Sequence, residues 1–353
     1  MRHQRTPSPA PSPCLLVSLS PALLILLAFA LRVYRLDFQE LRGDEAFGYF
    51  FSLRPFTDIV QTTLALKEPH PVASYFLQHV WLTWAGHSEF ALRFTSVWFG
   101  TLAVALLYRL ARTLDLTRPA ALLAMLFLAV SPYAIWHSQD ARMYSMSLAL
   151  TIASTWLAVV WLQRQRWPQT VAYLVVSGLA LHTHYFSAFV LAAQAIFVLS
   201  RALFVPRLRF MVMPWLGLQG LLAVLYLPWL TQASAILSGY GGNGDSPAWS
   251  AALVRALSVF AVGESVAANQ QIGWAGLTGL LILLGGWQLV RNGPTGRRTL
   301  WLLLLYLSVP LLATWYSSTQ RPIFNERYLI AAAPPFYLLI AVACGWGRGF
   351  TLM

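Results

Sequence analysis

The residues with chemical potential in this 353-residue chain stand in five short polar segments between long apolar runs. Gly43-Asp44-Glu45-Ala46 places two adjacent carboxylates just beyond the first run. Desolvation near lipid raises a carboxylate pKa, which suits a general base that takes a proton from a hydroxyl or amine near neutral pH. The same pair would also serve as first-turn acids of a surface helix. Lys67-Glu68-Pro69-His70-Pro71 joins a cation, an acid and a histidine to two prolines that fix the backbone. Such a turn could present His70 to a phosphate, or simply break a helix. Trp136-His137-Ser138-Gln139-Asp140-Ala141-Arg142-Met143-Tyr144 compresses Asp140, Arg142 and Tyr144 between two runs, where charges normally pair or serve function. The plain reading is a local Asp140–Arg142 pair with Tyr144 as an interface anchor. In His182-Thr183-His184-Tyr185-Phe186 the two histidines share one side only if the backbone is extended, since a helix separates them by about 200°. Metal ligation and an aromatic belt are both open there. Finally, Arg327 in Phe324-Asn325-Glu326-Arg327-Tyr328 could clamp a lipid phosphate or anchor a helix.

The elements that must position these segments follow from composition. Hydrophobic residues make up 58% of the chain and charged ones 10%, against about 25% charged in an ordinary soluble domain. Repeated apolar runs exclude disorder. Runs approaching the roughly 20 residues that cross a bilayer lie at 15–31, 94–111, 120–136, 143–162, 171–181, 187–204, 211–230, 272–290, 299–316 and 328–346. The expectation is an all-α polytopic membrane protein of about ten transmembrane helices. Residues 1–14 would form a cytoplasmic, disordered N-terminus, 15–346 one membrane-embedded domain, and 347–353 a cytoplasmic tail. The basic start, apolar run and Ala28-Phe29-Ala30 also fit a secretory signal peptide.

The net charge of +12 does not point to nucleic acid, because the arginines sit in small groups between apolar runs rather than in one stripe. Ten spans with the N-terminus inside give the inner loops a charge of +13 and the outer side −1, as the positive-inside rule requires. Merging 171–204 into one span, or counting 250–268 as an eleventh, worsens that balance. The stretch 250–268 therefore reads as an interfacial or re-entrant helix. Six of the seven histidines and eleven of the twelve acids then face outward. Residues 32–93, too long for a passive turn, read as a first extracytoplasmic loop carrying interfacial helices. Cys14 and Cys344, far apart, offer neither a disulfide framework nor zinc spacing.

In order, these segments resemble the C-type-fold membrane glycosyltransferases, nearest to glycosyltransferase family 39 with its protein O-mannosyltransferase and aminoarabinose transferase relatives. The resemblance is carried by Gly43-Asp44-Glu45-Ala46, Pro69-His70-Pro71, Ser88-Glu89-Phe90-Ala91-Leu92-Arg93-Phe94, Ser131-Pro132-Tyr133, Ser138-Gln139-Asp140-Ala141-Arg142-Met143-Tyr144, His182-Thr183-His184-Tyr185-Phe186 and Glu326-Arg327-Tyr328-Leu329. It covers about residues 15 to 346. It departs where His-Pro-Pro becomes His70-Pro71-Val72 and where the usual glutamate of Ser-Gln-Glu-Ala-Arg is Asp140. Relatives also often continue past the tenth span.

The resemblance implies a polyprenyl-phosphate-linked sugar donor, inverting transfer on the extracytoplasmic face of the plasma membrane, and a lipid, polysaccharide or protein acceptor. It places Asp44 as base, Asp140 as the second acid and His70 at the donor phosphate, with Lys67 and Arg327 as further cations there. Glu45, Arg142, His182, His184 and Tyr185 are supporting candidates, and a divalent metal ion is a candidate cofactor without a decisive ligand set. The alternative is a transporter or flippase of a lipid-linked glycan. That would call for charges inside the spans and repeated broken helices. The polar residues gathered on one side favour the enzyme.

Overall fold

The computed structural model describes residues 13–66, 70–239 and 241–345. Regular structure among them is helical, apart from one antiparallel bridge between Asp245 and Phe324. After α1 (Pro13–Val33) come three helices too short to span: α2 (Gly43–Ser52), α3 (Phe56–Leu66) and α4 (Ala73–Ala85). The chain then runs back and forth through α5 (Glu89–Thr113), α6 (Arg118–Val130) with α7 (Pro132–Ser138), α8 (Tyr144–Arg164), α9 (Trp167–Thr183), α10 (Ser187–Phe204) and α11 (Val212–Gly239). Beyond α12 (Trp249–Val262) it completes the bundle with α13 (Ala268–Arg291), α14 (Gly293–Gln320) and α15 (Ala333–Cys344). Two 3₁₀ turns, Pro206–Met211 and Glu326–Ala332, lead into α11 and α15.

Among the described residues, seven segments are long and apolar enough to cross a bilayer, or eight if the α6–α7 pair, bent by 57°, is counted as one span. The expected ten are thus not reached by length and composition. The described side chains of α1 begin at Ser20, and α9 has 17 residues, about 25 Å of helix. Breaking the 171–204 stretch into α9 and α10 agrees with the expectation, and α12, at 14 residues, is short for a span. Exposed leucines and valines recur at helical spacing, as Val171, Val175 and Leu179 on α9 and Leu277, Leu280 and Leu284 on α13. Such stripes are stable against lipid tails, not water.

Local chemistry sets where the helices begin and bend. Ser88, Thr117 and Ser131 cap α5, α6 and α7, accepting from the backbone N–H groups of Ala91, Ala120 and Ala134. Pro132, lacking an N–H, interrupts the ladder between α6 and α7 and frees carbonyls at the end of α6. Arg32, fully buried, fills that gap. Its Nη1 and Nη2 donate to the carbonyls of Ala28, Ala129 and Leu128 at 3.0, 3.1 and 3.1 Å, and its Nε donates to Ser138 Oγ at 3.1 Å. Gly100 makes room for this knot, since a Cβ there would lie 2.1 Å from Ser138 Oγ.

The two ends of the bundle differ as the sequence predicts. At one end the α5–α6 turn meets the start of α14, with Arg298 Nη2 3.3 Å from Asp115 Oδ2 and Thr299 Oγ1 donating to the Leu114 carbonyl. The opposite end gathers the acids and histidines described next. The expected N-terminal segment up to residue 12 and the expected tail 347–353 fall outside the described residues, as does Lys67.

Candidate active site

Glu45 is the anchor of the polar end. Its side chain is fully buried and accepts two parallel bonds from Arg93, from Nε to Oε1 and from Nη2 to Oε2, both 2.8 Å. The backbone N–H groups of Ala141 and Arg42 donate to it at 3.0 and 3.1 Å. One carboxylate thereby joins α2, α5 and the 139–143 turn. Arg93 uses its remaining donors on the carbonyls of Leu36, Gln39 and Glu40, fixing the link between α1 and α2. Burial alone would raise the Glu45 pKa, but Arg93 and the two backbone donors outweigh it and hold the carboxyl below its ordinary value. The raised pKa expected for a carboxylate at this motif is therefore corrected for Glu45. It also remains a first-turn acid of α2, so the capping reading and the site reading both apply.

Asp44, one residue earlier on the same turn, points the other way. Its side chain is 57% exposed, and Oδ2 stands 3.1 Å from Nη1 of Arg327, 283 positions along the chain. Arg142 Nη1 donates to the Asp44 backbone carbonyl at 3.2 Å. Asp140 pairs with Arg42, at 3.6 Å, so the local Asp140–Arg142 pair is not formed. Burial raises the Asp140 pKa, and the Arg42 charge offsets this only in part. It is Asp140, not Glu45, that has the raised pKa expected of an acid–base group.

Around Arg327 lies an aromatic cage. The guanidinium carbon is 5.5 Å from the Tyr328 ring and 6.0 Å from the Tyr144 ring. His184 lies 5.6 Å from Tyr328 and 6.0 Å from Tyr144, and His70 lies 6.0 Å from His184. Tyr144 is completely buried, which corrects its reading as an interface anchor, and its hydroxyl has no hydrogen-bond partner among the described residues. Burial, aided by the charges of Arg142 and Arg327, lowers the His184 pKa to about 3, so this ring is neutral. The Phe186 N–H donates to His184 Nδ1 at 3.3 Å, which assigns the ring proton to Nε2.

His182 takes no part. Its Nδ1 contacts the Gly178 carbonyl at 2.9 Å and its ring packs against Tyr226 on α11, so the two histidines diverge. Tyr185 likewise turns to α11, accepting from Trp229 Nε1 at 3.2 Å. Among the described residues no three His, Cys, Asp or Glu side chains converge as metal ligands.

Sequence reasoning missed Arg93, Arg42 and the second tier of this end. Arg93, at the edge of the apolar run 94–111 and four residues into α5, carries the signal that could have found it. His137 Nε2 lies 3.3 Å from Glu264 Oε1. Burial would raise the Glu264 pKa, but His137 more than offsets it and the carboxyl is held low. Glu326 pairs with Arg255 at 2.6 Å, and Arg255 also reaches Asp245, tying the 241–248 segment to the 3₁₀ turn that leads into α15.

Comparison with known proteins bears on this arrangement. Residues 67–232 match the family model of dolichyl-phosphate-mannose-protein mannosyltransferase. No curated protein matches in sequence. ArnT from Cupriavidus metallidurans bound to undecaprenyl phosphate has a similar structure, with a TM-score of 0.60 at 16% identity, over 94% of this chain and 60% of that one. The Archaeoglobus fulgidus oligosaccharyltransferase in its apo form gives 0.58 at 13% identity, over 92% of this chain and 50% of that one. AglB from the same organism, in complex with an inhibitory peptide and a dolichol-phosphate, gives 0.53 at 12%, over 92% and 50%. This chain thus spans half to three fifths of the length of these structures, and at such identities the likeness is one of fold. The chain thus shares its fold with ArnT and the archaeal oligosaccharyltransferase, and its residues 67–232 are similar to the dolichyl-phosphate-mannose-protein mannosyltransferase family.

Proposed function

We propose that this protein is an integral-membrane glycosyltransferase that moves a sugar from a polyprenyl-phosphate donor to an acceptor on the extracytoplasmic side, with inversion. The observation that carries the reading is the meeting of Asp44 and Arg327 at the polar end of the bundle, inside an aromatic cage. An exposed carboxylate beside a guanidinium is what such a transfer needs. The acceptor oxygen attacks the anomeric carbon opposite the phosphate and loses its proton to the Asp44 carboxylate. The bond from that carbon to the phosphate oxygen breaks, and the electron pair leaves on the phosphate.

Arg327 and His70 take up the phosphate charge, while neutral His184 donates from Nε2. On this reading Arg327 leaves Asp44 for the incoming phosphate and frees the carboxylate to accept a proton. Lys67 is a further candidate for the phosphate, and Asp140, with its raised pKa, is the second acid of the site.

Purified wild type, Asp44→Asn and Arg327→Gln should be compared in detergent with radiolabelled polyprenyl-phosphate sugars and a crude membrane acceptor pool. The expected result is transfer by wild type, donor binding without transfer by Asp44→Asn, and weakened donor binding by Arg327→Gln. Wild type that binds donor and never transfers would instead support a flippase of lipid-linked glycans. Transfer by Asp44→Asn at the wild-type rate would remove Asp44 from the role of base.

A further inference from the structure

At the arginine-rich end, away from the acids and histidines, the last turns of α8 and α10, the Pro206–Met211 turn and the start of α14 enclose a crevice of about 100 Å³. Arg201 and Arg298 line it, together with Gln163, Val198, Met211 and Leu302. Two guanidiniums in an otherwise apolar crevice repel one another and have lost part of their hydration. The acid within reach compensates one of them only. Asp115 stands 3.3 Å from Arg298 and is itself 61% exposed, whereas no acid among the described residues lies within ion-pair distance of Arg201.

The crevice walls are held together without help from a ligand, since Trp301 Nε1 donates to Ser200 Oγ at 2.8 Å across α14 and α10. Outside it, α10 and the following turn expose Leu203, Phe204 and Phe210, an apolar surface of the kind that lies against lipid chains. A cationic, part-desolvated notch between membrane helices, opening beside an apolar face, matches an anionic amphiphile. Guanidinium groups complement phosphate oxygens geometrically as well as by charge.

From this juxtaposition we infer that the crevice is a binding site for the phosphate headgroup of an anionic membrane phospholipid, whose acyl chains lie along α10. Arg201 supplies the uncompensated charge and Arg298 shares its own between the lipid and Asp115. The site is independent of the chemistry proposed for the opposite end.

The test is native mass spectrometry of the detergent-purified full chain titrated with phosphatidylglycerol or phosphatidylcholine. Wild type should retain phosphatidylglycerol in preference to phosphatidylcholine. Arg201→Gln should weaken phosphatidylglycerol binding by about fivefold or more, and Arg201→Lys should recover part of the loss. Arg164→Gln, which removes an exposed charge from the same end outside the crevice, should leave binding unchanged. Equal effects of Arg201→Gln and Arg164→Gln would reduce the site to general surface charge and overturn the inference. So would equal retention of the two lipids, or full displacement of phosphatidylglycerol by millimolar inorganic phosphate, which would mark a free-anion site.

Discussion

Removing Arg93 should cost more stability than any exposed charge change in this protein. In Arg93→Met the Glu45 carboxylate stays buried with two backbone donors but without its two 2.8 Å guanidinium bonds, and three carbonyls of the α1–α2 link also lose their donor. Breaking a buried pair in this way costs about 3–5 kcal/mol, because the remaining charge keeps as counter-ion only the partly exposed Arg42, 3.6 Å away. At an unfolding entropy of roughly 0.7 kcal/mol/K for a chain of this length, the fall in Tm is about 4–7 °C. Glu45→Leu alone should also destabilise, while the Glu45→Leu/Arg93→Met double variant should lose less than the sum of the two, since neither charge is then stranded.

The pair also has a pH signature. The Glu45 pKa is lowered by folding, so its contribution is present above the ordinary carboxylate value and is lost as pH falls through the lower, native one. Arg93→Met should flatten that acid-side loss. Thermal unfolding in one detergent, run for the four members of the cycle across pH 3–8, measures all of this. A Tm change under 1 °C for Arg93→Met, or strict additivity in the double variant, would refute the argument that this pair anchors the first loop to the bundle.

Three further outcomes are expected. Arg32→Met leaves the Ala28, Leu128 and Ala129 carbonyls without their buried donor, and at about 1 kcal/mol or more per group the loss is about 3 kcal/mol, measurable as a lowered Tm. Gly100→Ala drives a methyl to within 2.1 Å of Ser138 Oγ and 2.9 Å of Arg32 Nε, so the same knot should open at a cost of about 1–3 kcal/mol; an unchanged Tm would show that α7 can move freely. His184 is neutral in the fold, with a pKa near 3, whereas an exposed histidine titrates near 6.5. The unfolded state therefore takes up a proton that the native state refuses. Stability should fall by about 1.4 kcal/mol per pH unit below about 6.5, and His184→Gln should lack this slope in a denaturation series from pH 7 to 5.

The fold was legible because its determinants are local and repetitive: runs of apolar residues, capping serines and prolines at helix starts. The shortness of α12, 14 residues, agrees with the charge balance, since counting it as a span would strand Arg291, Arg297 and Arg298 outside. The span count was less legible, because α9, at 17 residues, falls short of a span by length alone, while passage across a bilayer depends on neighbours. Asp44, Asp140, His70, His184 and Arg327 do gather at one end, around the Tyr144 and Tyr328 rings. Their pairings were not readable. Nothing in the sequence distance between Asp140 and Arg142 says that Asp140 will turn to Arg42 instead, or that Arg93 will reach back 48 residues to Glu45. The histidines at 182 and 184 diverge because α9 ends between them: Thr183 is its last helical residue and His184 is extended.

The two acids of Gly43-Asp44-Glu45-Ala46 differ in how tightly each holds its arginine, and that difference separates scaffold from chemistry. Glu45 is buried and doubly bonded, so exchanging Arg93 for another partner would expose a desolvated charge at a cost of several kcal/mol. Asp44 has one contact, to Arg327, and is more than half exposed; such a pair is worth about 0–1 kcal/mol. A phosphate offering charged acceptors to the same guanidinium gains about 1.5–3 kcal/mol per hydrogen bond. Arg327 therefore has a downhill exchange available and Arg93 does not. If the acid of Gly43-Asp44-Glu45-Ala46 that works were Glu45, donor binding would have to dismantle the joint holding α2 to α5. With Asp44 it need only turn one side chain.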